Sequence, residues 1–210
     1  DADQERDLFR NLISDSLAFN GLIAIPGLFG ALVISERLLR IYGSEFTQGV
    51  AVLGLLILAM LVYDYQNQLL NGLNALDRPD LAFRVNGVFL VANFGLNVAL
   101  VALIGWVGAA IATVLSAVIG LLLSLYYLRS LVEFELPISE ITRQTAAGVS
   151  MMAVVHLVKT YAEAQLSAIH NAAFVITLVT IGAGVYFAVL LGISPRFRRI
   201  TANNLPLSIA

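Results

Sequence analysis

The sequence has no cysteine, a single lysine (Lys159), a single tryptophan (Trp106) and two histidines. Without cysteine there is neither a disulfide framework nor a thiolate metal site. His156 and His170 are too far apart in sequence to be a zinc-ligand pair, so no metal is expected. Charge is also scarce. Asp, Glu, Lys and Arg make up 12% of the 210 residues, where a soluble domain carries about a quarter. A formal net charge of −2 offers nothing to a nucleic acid backbone. No P-loop, nucleophile elbow, metal-binding helix or Rossmann turn occurs. The chain therefore reads as a non-enzyme without a cofactor.

What is present is apolar. Hydrophobic residues make up 59% of the chain and the mean hydropathy is +0.87, which marks an integral membrane protein. The first residues are acidic (Asp1, Asp3, Glu5, Asp7) rather than basic, so they are not a signal peptide. They predict that the chain is part of something longer.

A membrane span needs roughly 20 mainly apolar residues. Six segments are expected to form helices, at about 7–35, 46–73, 82–104, 107–130, 141–160 and 171–193, within a single membrane domain over residues 1–210. The Pro26-Gly27 pair predicts a kink in the first. The fifth has the shortest clean apolar stretch, Thr145 to Val158. Loop arginines and lysine set the orientation. Arg6, Arg10, Arg78, Arg84, Arg129, Arg143, Arg196, Arg198 and Arg199 fall on one side, and Arg37, Arg40 and Lys159 on the other. Both termini are expected in the cytoplasm, in a multi-pass protein of the cytoplasmic membrane. The C-terminal arginine cluster is read as an anchor on anionic lipid.

Residues 103–116 form the most telling segment. Gly105 and Gly108 are expected to make a tight turn between two apolar runs. Small residues then recur at helical spacing: Gly108, Ala109, Ala112, Thr113 and Ser116. Lipid is as apolar as leucine, so membrane helices associate through close backbone approach, which small residues permit. This is a helical hairpin whose second arm carries a packing face.

Polar residues inside spans are costly unless they face water or the bundle interior. Asp64 is the one carboxylate deep in a span. It shares a helical face with Asn67, Gln68 and Asn71, and Asn74 extends that face. The row either lines a cavity for a polar headgroup or lies wet at the interface. Asn93 and Asn97, four residues apart, either join helices or line the same cavity; Asn86 lies two turns earlier. His156 and Lys159, about one turn apart, either bind a proton or phosphate or are plain: Lys159 snorkelling to the outer interface and His156 hydrogen-bonded or wet. Arg37 and Arg40, with Glu36 beside them, are expected at a solvated helix end. Tyr42, Trp106, Tyr126, Tyr127 and Tyr161 form an aromatic belt.

Leu73-Asn74-Ala75-Leu76-Asp77-Arg78-Pro79, the spaced Asn93 and Asn97, the run Leu103-Ile104-Gly105-Trp106-Val107-Gly108-Ala109-Ala110-Ile111-Ala112-Thr113 and Ser116 together form a pattern. It resembles the C-terminal half of polysaccharide (O-antigen type) flippases of the multidrug/oligosaccharidyl-lipid/polysaccharide exporter superfamily. Gly184-Val185-Tyr186 in the last helix and Arg40-Ile41-Tyr42-Gly43-Ser44 after the first add to the likeness. The chain departs at Ala102, where the family often has proline. The resemblance implies an all-α, six-helix lobe of a two-lobe transporter that flips a lipid-linked oligosaccharide or polysaccharide precursor. Its partners would be membrane lipid and a missing N-terminal lobe, in the same chain or separate. Asp64, Asn67, Gln68, Asn71, Asn93 and Asn97 would then be the wet surface. Two other readings stand beside it: a lobe of a cation-coupled multidrug exporter, and a non-transporting scaffold of a glycan-assembly complex.

Overall fold

The computed structural model describes residues 2–165 and 170–204, and no strand occurs among them. The helices are α1 (Ala2–Leu39), α2 (Val50–Ala75), α3 (Pro79–Ile104), α4 (Trp106–Leu131), α5 (Ile138–Gln165), α6 (Asn171–Ile193) and α7 (Pro195–Asn204), with a 3₁₀ turn at Ser44–Gly49 before α2. Five segments are long and apolar enough to cross a membrane: α1 from Asp7, the 3₁₀ turn with α2, α3, α4 and α6. The fifth expected span is part of a long helix, α5, whose composition falls short because Glu140, Arg143, Gln144, His156 and Lys159 interrupt it. The closing arginines Arg196, Arg198 and Arg199 sit on α7, a short helix that hydropathy does not reveal.

Local chemistry explains the joints. Asp77 takes a left-handed φ of 54°, tolerable for a short polar side chain. Its amide donates to Asn74 O (3.1 Å) and the Arg78 amide to Leu73 O (3.0 Å), so the two orphan carbonyls at the end of α2 are satisfied in a Schellman arrangement. Pro79 then opens α3, where its missing N–H is no loss. Gly105 alone joins α3 to α4, with φ 66°. Gly108, expected in that turn, instead lies in the first turns of α4 and is buried. A Cβ there would overlap the Leu100 carbonyl of α3, so glycine is needed for close helix approach rather than for the bend.

The helices divide into two units. The first holds α1 up to Ala24 with α2, α3 and α4; the second holds α1 from Ile25 with α5, α6 and α7. The division falls beside Pro26, the one proline inside α1.

In the first unit, α4 packs against both α2 and α3. Its buried residues include Gly108, Ala112, Ser116, Gly120, Ser124 and Leu128, one at every fourth position. Apart from Leu128 these side chains are small, so the row leaves a shallow channel along the helix where a neighbour can come close. It extends the expected small-residue face by two further turns. Below it, Ile13 and Leu17 of α1, Leu69 and Leu73 of α2, Val85 of α3 and Leu128 of α4 form an apolar core. Gly72 lets α2 approach this core, since a Cβ there would lie 2.7 Å from Ile13 Cδ1.

In the second unit, α5 and α6 pack through Met151 and Val155 against Gly182, with Leu178, Tyr186 and Leu190 buried along α6. Gly148 of α5 accommodates the Phe29 ring of α1.

The hairpin contact makes a direct test. Gly108→Ala is expected to destabilise the protein by about 2–3 kcal/mol, because the blocking atom belongs to backbone. Gly95→Ala in α3, with nothing within 4 Å of the new methyl, is expected to be neutral or to stabilise by up to about 1 kcal/mol. Thermal unfolding of both variants in detergent reads the difference.

Candidate functional site

The polar run of α2 covers the full turn of the helix, so the structure sorts it by face. Ala59, Gln66, Leu69, Leu70 and Leu73 are buried. Asp64, Asn67 and Gln68 are half-buried, and Asn71 and Asn74 are exposed. Among the described residues none of these five makes a side-chain hydrogen bond. They form an uncovered polar row on a helix otherwise apolar enough to cross a membrane.

Gln66 points the other way and is fully buried, and neither its Oε1 nor its Nε2 has a hydrogen-bond partner among the described residues. It lies against Gly120 of α4, where a Cβ would come within 2.5 Å of Oε1. Sequence reasoning passed it over because a polar residue between Asp64 and Asn67 looks like part of the same wet stretch. The signal was available in the apolar positions Ala59, Leu69, Leu70 and Leu73, whose phase includes residue 66.

Asn93 and Asn97 come together, and with α4. Asn97 Nδ2 donates to Asn93 Oδ1 (3.1 Å) and to Asn93 O (2.9 Å), while Asn93 Nδ2 donates to Ser116 Oγ (2.8 Å). Ser116 passes the chain on to Ala112 O (2.8 Å). The asparagines therefore join α3 to α4. Asn86 is exposed. Gly108, Ala112 and Ser116 are buried on the packing face, with Ala109 and Thr113 half-buried at its edge.

Near the start of α1 the first unit also has a polar cleft of about 380 Å³, lined by Arg10, Asn11, Ser14, Glu133, Phe134 and Glu135. Arg10 is paired with Asp7 at 3.2 Å. At the α2–α3 joint the guanidinium of Arg78 bonds both oxygens of Asp80 (3.0 and 3.1 Å). That hydrogen bonding, with their Coulomb attraction, moves Arg78 further above its already high range.

The second unit departs from expectation in its charges. Lys159 is not left free: its Nζ donates to Val33 O of α1 (3.0 Å). Arg37 is not a solvated end. It pairs with Glu163 of α5 (2.9 Å), stacks over the Phe174 ring of α6 (5.5 Å), and its carbonyl accepts from Asn171 Nδ2 (2.8 Å). Arg40 does pair locally with Glu36. The His156 side chain is exposed. Glu140, in the first turn of α5, is a buried carboxylate held by Arg143 (3.1 Å) and by the Ser194 hydroxyl. No group of three or more potential metal ligands occurs among the described residues.

The sequence model of the lipid II flippase MurJ family matches residues 1–191. The chain belongs to this family. Two curated relatives from Haloferax volcanii are each 35% identical to it. One, named the probable flippase AglR, matches over 192 residues, 90% of this chain and 39% of that protein. The other, named the probable low-salt glycan biosynthesis flippase Agl15, matches over 157 residues, 74% of this chain and 33% of that protein. A solved structure of the lipid II flippase MurJ in an inward closed conformation superposes with a TM-score of 0.77 at 19% identity, over 94% of this chain and 41% of that one. At that identity the likeness speaks for the fold alone. The chain thus spans at most about two fifths of these relatives. With its apolar helices, membership of a flippase family makes this a multi-pass membrane protein.

Three predictions follow from the polar contacts. Gly120→Ala is expected to destabilise by about 1–3 kcal/mol through its clash with Gln66, and a second change, Gln66→Ala, should restore most of the loss. Gln66→Met alone should stabilise by about 1–3 kcal/mol by removing a desolvated, unpaired amide. A double-mutant cycle of Asn93→Leu and Ser116→Ala should report a coupling of about 0.6–1.7 kcal/mol across the α3–α4 pair. Additivity there would show that the bond contributes nothing to stability.

Proposed function

We propose that this lobe, acting with a second lobe in the same chain or a separate one, moves a lipid-linked oligosaccharide or polysaccharide precursor across the cytoplasmic membrane. The observation that carries this reading is the uncovered row Asp64, Asn67, Gln68 and Asn71 on α2. Amides and a carboxylate facing lipid would cost roughly 2.5–3.5 kcal/mol for the carboxylate alone on insertion scales. The row is better accounted for by facing water, a headgroup or another lobe. Amides both donate and accept, so they suit the hydroxyls of a sugar.

No covalent step is needed. A sugar-phosphate headgroup cannot cross hydrocarbon unaided, and a polar lining lowers that barrier while the lipid tail stays in the bilayer. The lobe is therefore read as a carrier rather than an enzyme, with no catalytic residue. The names of the two 35%-identical relatives, both flippases and one of glycan biosynthesis, support the substrate class. The excess of arginine on the loops near residues 10, 78, 129 and 196 supports cytoplasmic termini. A cation-coupled drug exporter is disfavoured, because carboxylates inside the candidate spans are few: Asp64 on α2 and Asp15, about two turns into the α1 span, are the ones more than a turn from an end.

The test uses the full-length protein in vesicles carrying a fluorescent dolichyl-phosphate-linked sugar, with a membrane-impermeant quencher reporting its transfer between leaflets. Transfer should require the protein. Asn67→Leu with Asn71→Leu should slow it about tenfold or more, equivalent to losing one or two hydrogen bonds. Unchanged transfer in that double variant would remove the row from the pathway.

A further inference from the structure

A second feature of the first unit lies in line with the amide row. Between α2, α3 and α4 runs an open groove of about 430 Å³. From α2 it is lined by Leu56, Ala59, Met60 and Tyr63, and from the facing helices by Phe89, Thr113 and Ala117. The Tyr63 and Phe89 rings meet at 5.6 Å. Thr113, the one aliphatic residue here with a hydroxyl, donates it to Ala109 O (2.9 Å), so it offers the groove no free donor. All three helices belong to segments apolar enough to lie in a bilayer. Its occupant must be apolar, and in a bilayer hydrocarbon is the apolar matter at hand.

The register of α2 decides which hydrocarbon. At about 100° per residue, Leu56, Met60, Tyr63, Asn67, Asn71 and Asn74 fall within a stripe roughly 80° wide. The stripe is apolar over its first half and amide over its second, with Tyr63 at the boundary. Every member is exposed or half-buried. An amphiphile lying along α2 meets hydrocarbon-binding and then hydroxyl-binding surface without turning. The stripe carries no arginine or lysine, so it offers a lipid phosphate no ion pair, and its amides favour the amphiphile whose headgroup brings sugar hydroxyls.

We propose that this groove seats the hydrocarbon chain of the lipid-linked sugar, in the stretch next to its headgroup, while Asn67, Asn71 and Asn74 bind the sugar. The inference rests on the export reading and adds to it a tail-binding site on α2.

The experiment uses the full-length protein in phosphatidylglycerol vesicles. The probe is a dolichyl-phosphate-linked monosaccharide with a diazirine on the isoprene unit nearest the phosphate. Irradiation should label peptides containing Leu56–Tyr63, Phe89 and Ala117. The unlabelled lipid-linked sugar should compete the label away, and excess phosphatidylglycerol should not. Met60→Trp, which fills the groove from an exposed position, should lower labelling about tenfold, while Leu122→Trp on the exposed face of α4 outside the groove should not. Label outside these peptides, or equal labelling by a diazirine phospholipid, overturns the proposal, the latter by making the groove a bulk-lipid or lobe contact. Transfer of the same probe is followed in parallel. Transfer with label elsewhere sinks the groove and leaves export standing. Label in the groove without transfer upholds the groove and sinks export.

Discussion

Close approach between helices that lipid does not push together is the constraint from which this lobe's arrangement follows. In water, apolar faces associate because water expels them. In a bilayer that drive is absent, and contact must come from backbones brought within van der Waals range. The row on α4 supplies this. With Gly108, Ala112, Ser116, Gly120 and Ser124 one turn apart, α4 presents a shallow channel on which α3 rests at one end and α2 at the other. Only at Leu128 does a large side chain return, and there the core of the first unit begins.

That channel decides the fate of each polar group near it. Ser116 meets Asn93 across the α3 contact, and the pair is satisfied. Gln66 is drawn over Gly120 by the same closeness and is left with both amide atoms buried and unpaired. Two amides of similar chemistry thus end in opposite states, because one faces a serine and the other a glycine. The remaining amides of α2 lie outside the α2–α4 contact and stay available. A fully paired set of amides would hold helices together and do nothing else. On the proposed reading, the uncovered row is what separates this lobe from a passive bundle.

Much of the fold was legible in the sequence because length and apolarity are additive along a span. The helices near 46–73, 82–104, 107–130 and 171–193 begin and end within a few residues of α2, α3, α4 and α6. Hydropathy reads the bilayer rather than the helix, so it was blind where helices continue in polar residues: α1 begins at Ala2, α5 runs to Gln165, and α7 follows Pro195 at once. It was also blind to partners far off in sequence. Lys159 with Val33, and Arg37 with Glu163 and Phe174, look like free basic residues until α1, α5 and α6 are brought together. In the polar run of α2, composition showed that something lay there. It could not show the phase, since Tyr63 to Gln68 is polar on every face, and phase is what separates the buried Gln66 from the open Asn67.

The scarcity of charge bears on the proposed function in a way that abundance would not. A carrier must bind its cargo facing one side and release it facing the other, so a site that binds strongly in both states shifts neither population. A buried arginine would hold a sugar phosphate through a charge-assisted bond about twice as strong as a neutral one, and release would suffer. Three of the basic residues are committed elsewhere: Arg78 to Asp80, Arg37 to Glu163, Lys159 to a backbone carbonyl. What is left along α2 is neutral amide with one carboxylate. Each contact it makes with a hydroxyl is individually weak and easily exchanged for water. A surface of that kind guides a headgroup across without trapping it. Ordered hydrocarbon contacts beside it would then supply the affinity that the amides give up.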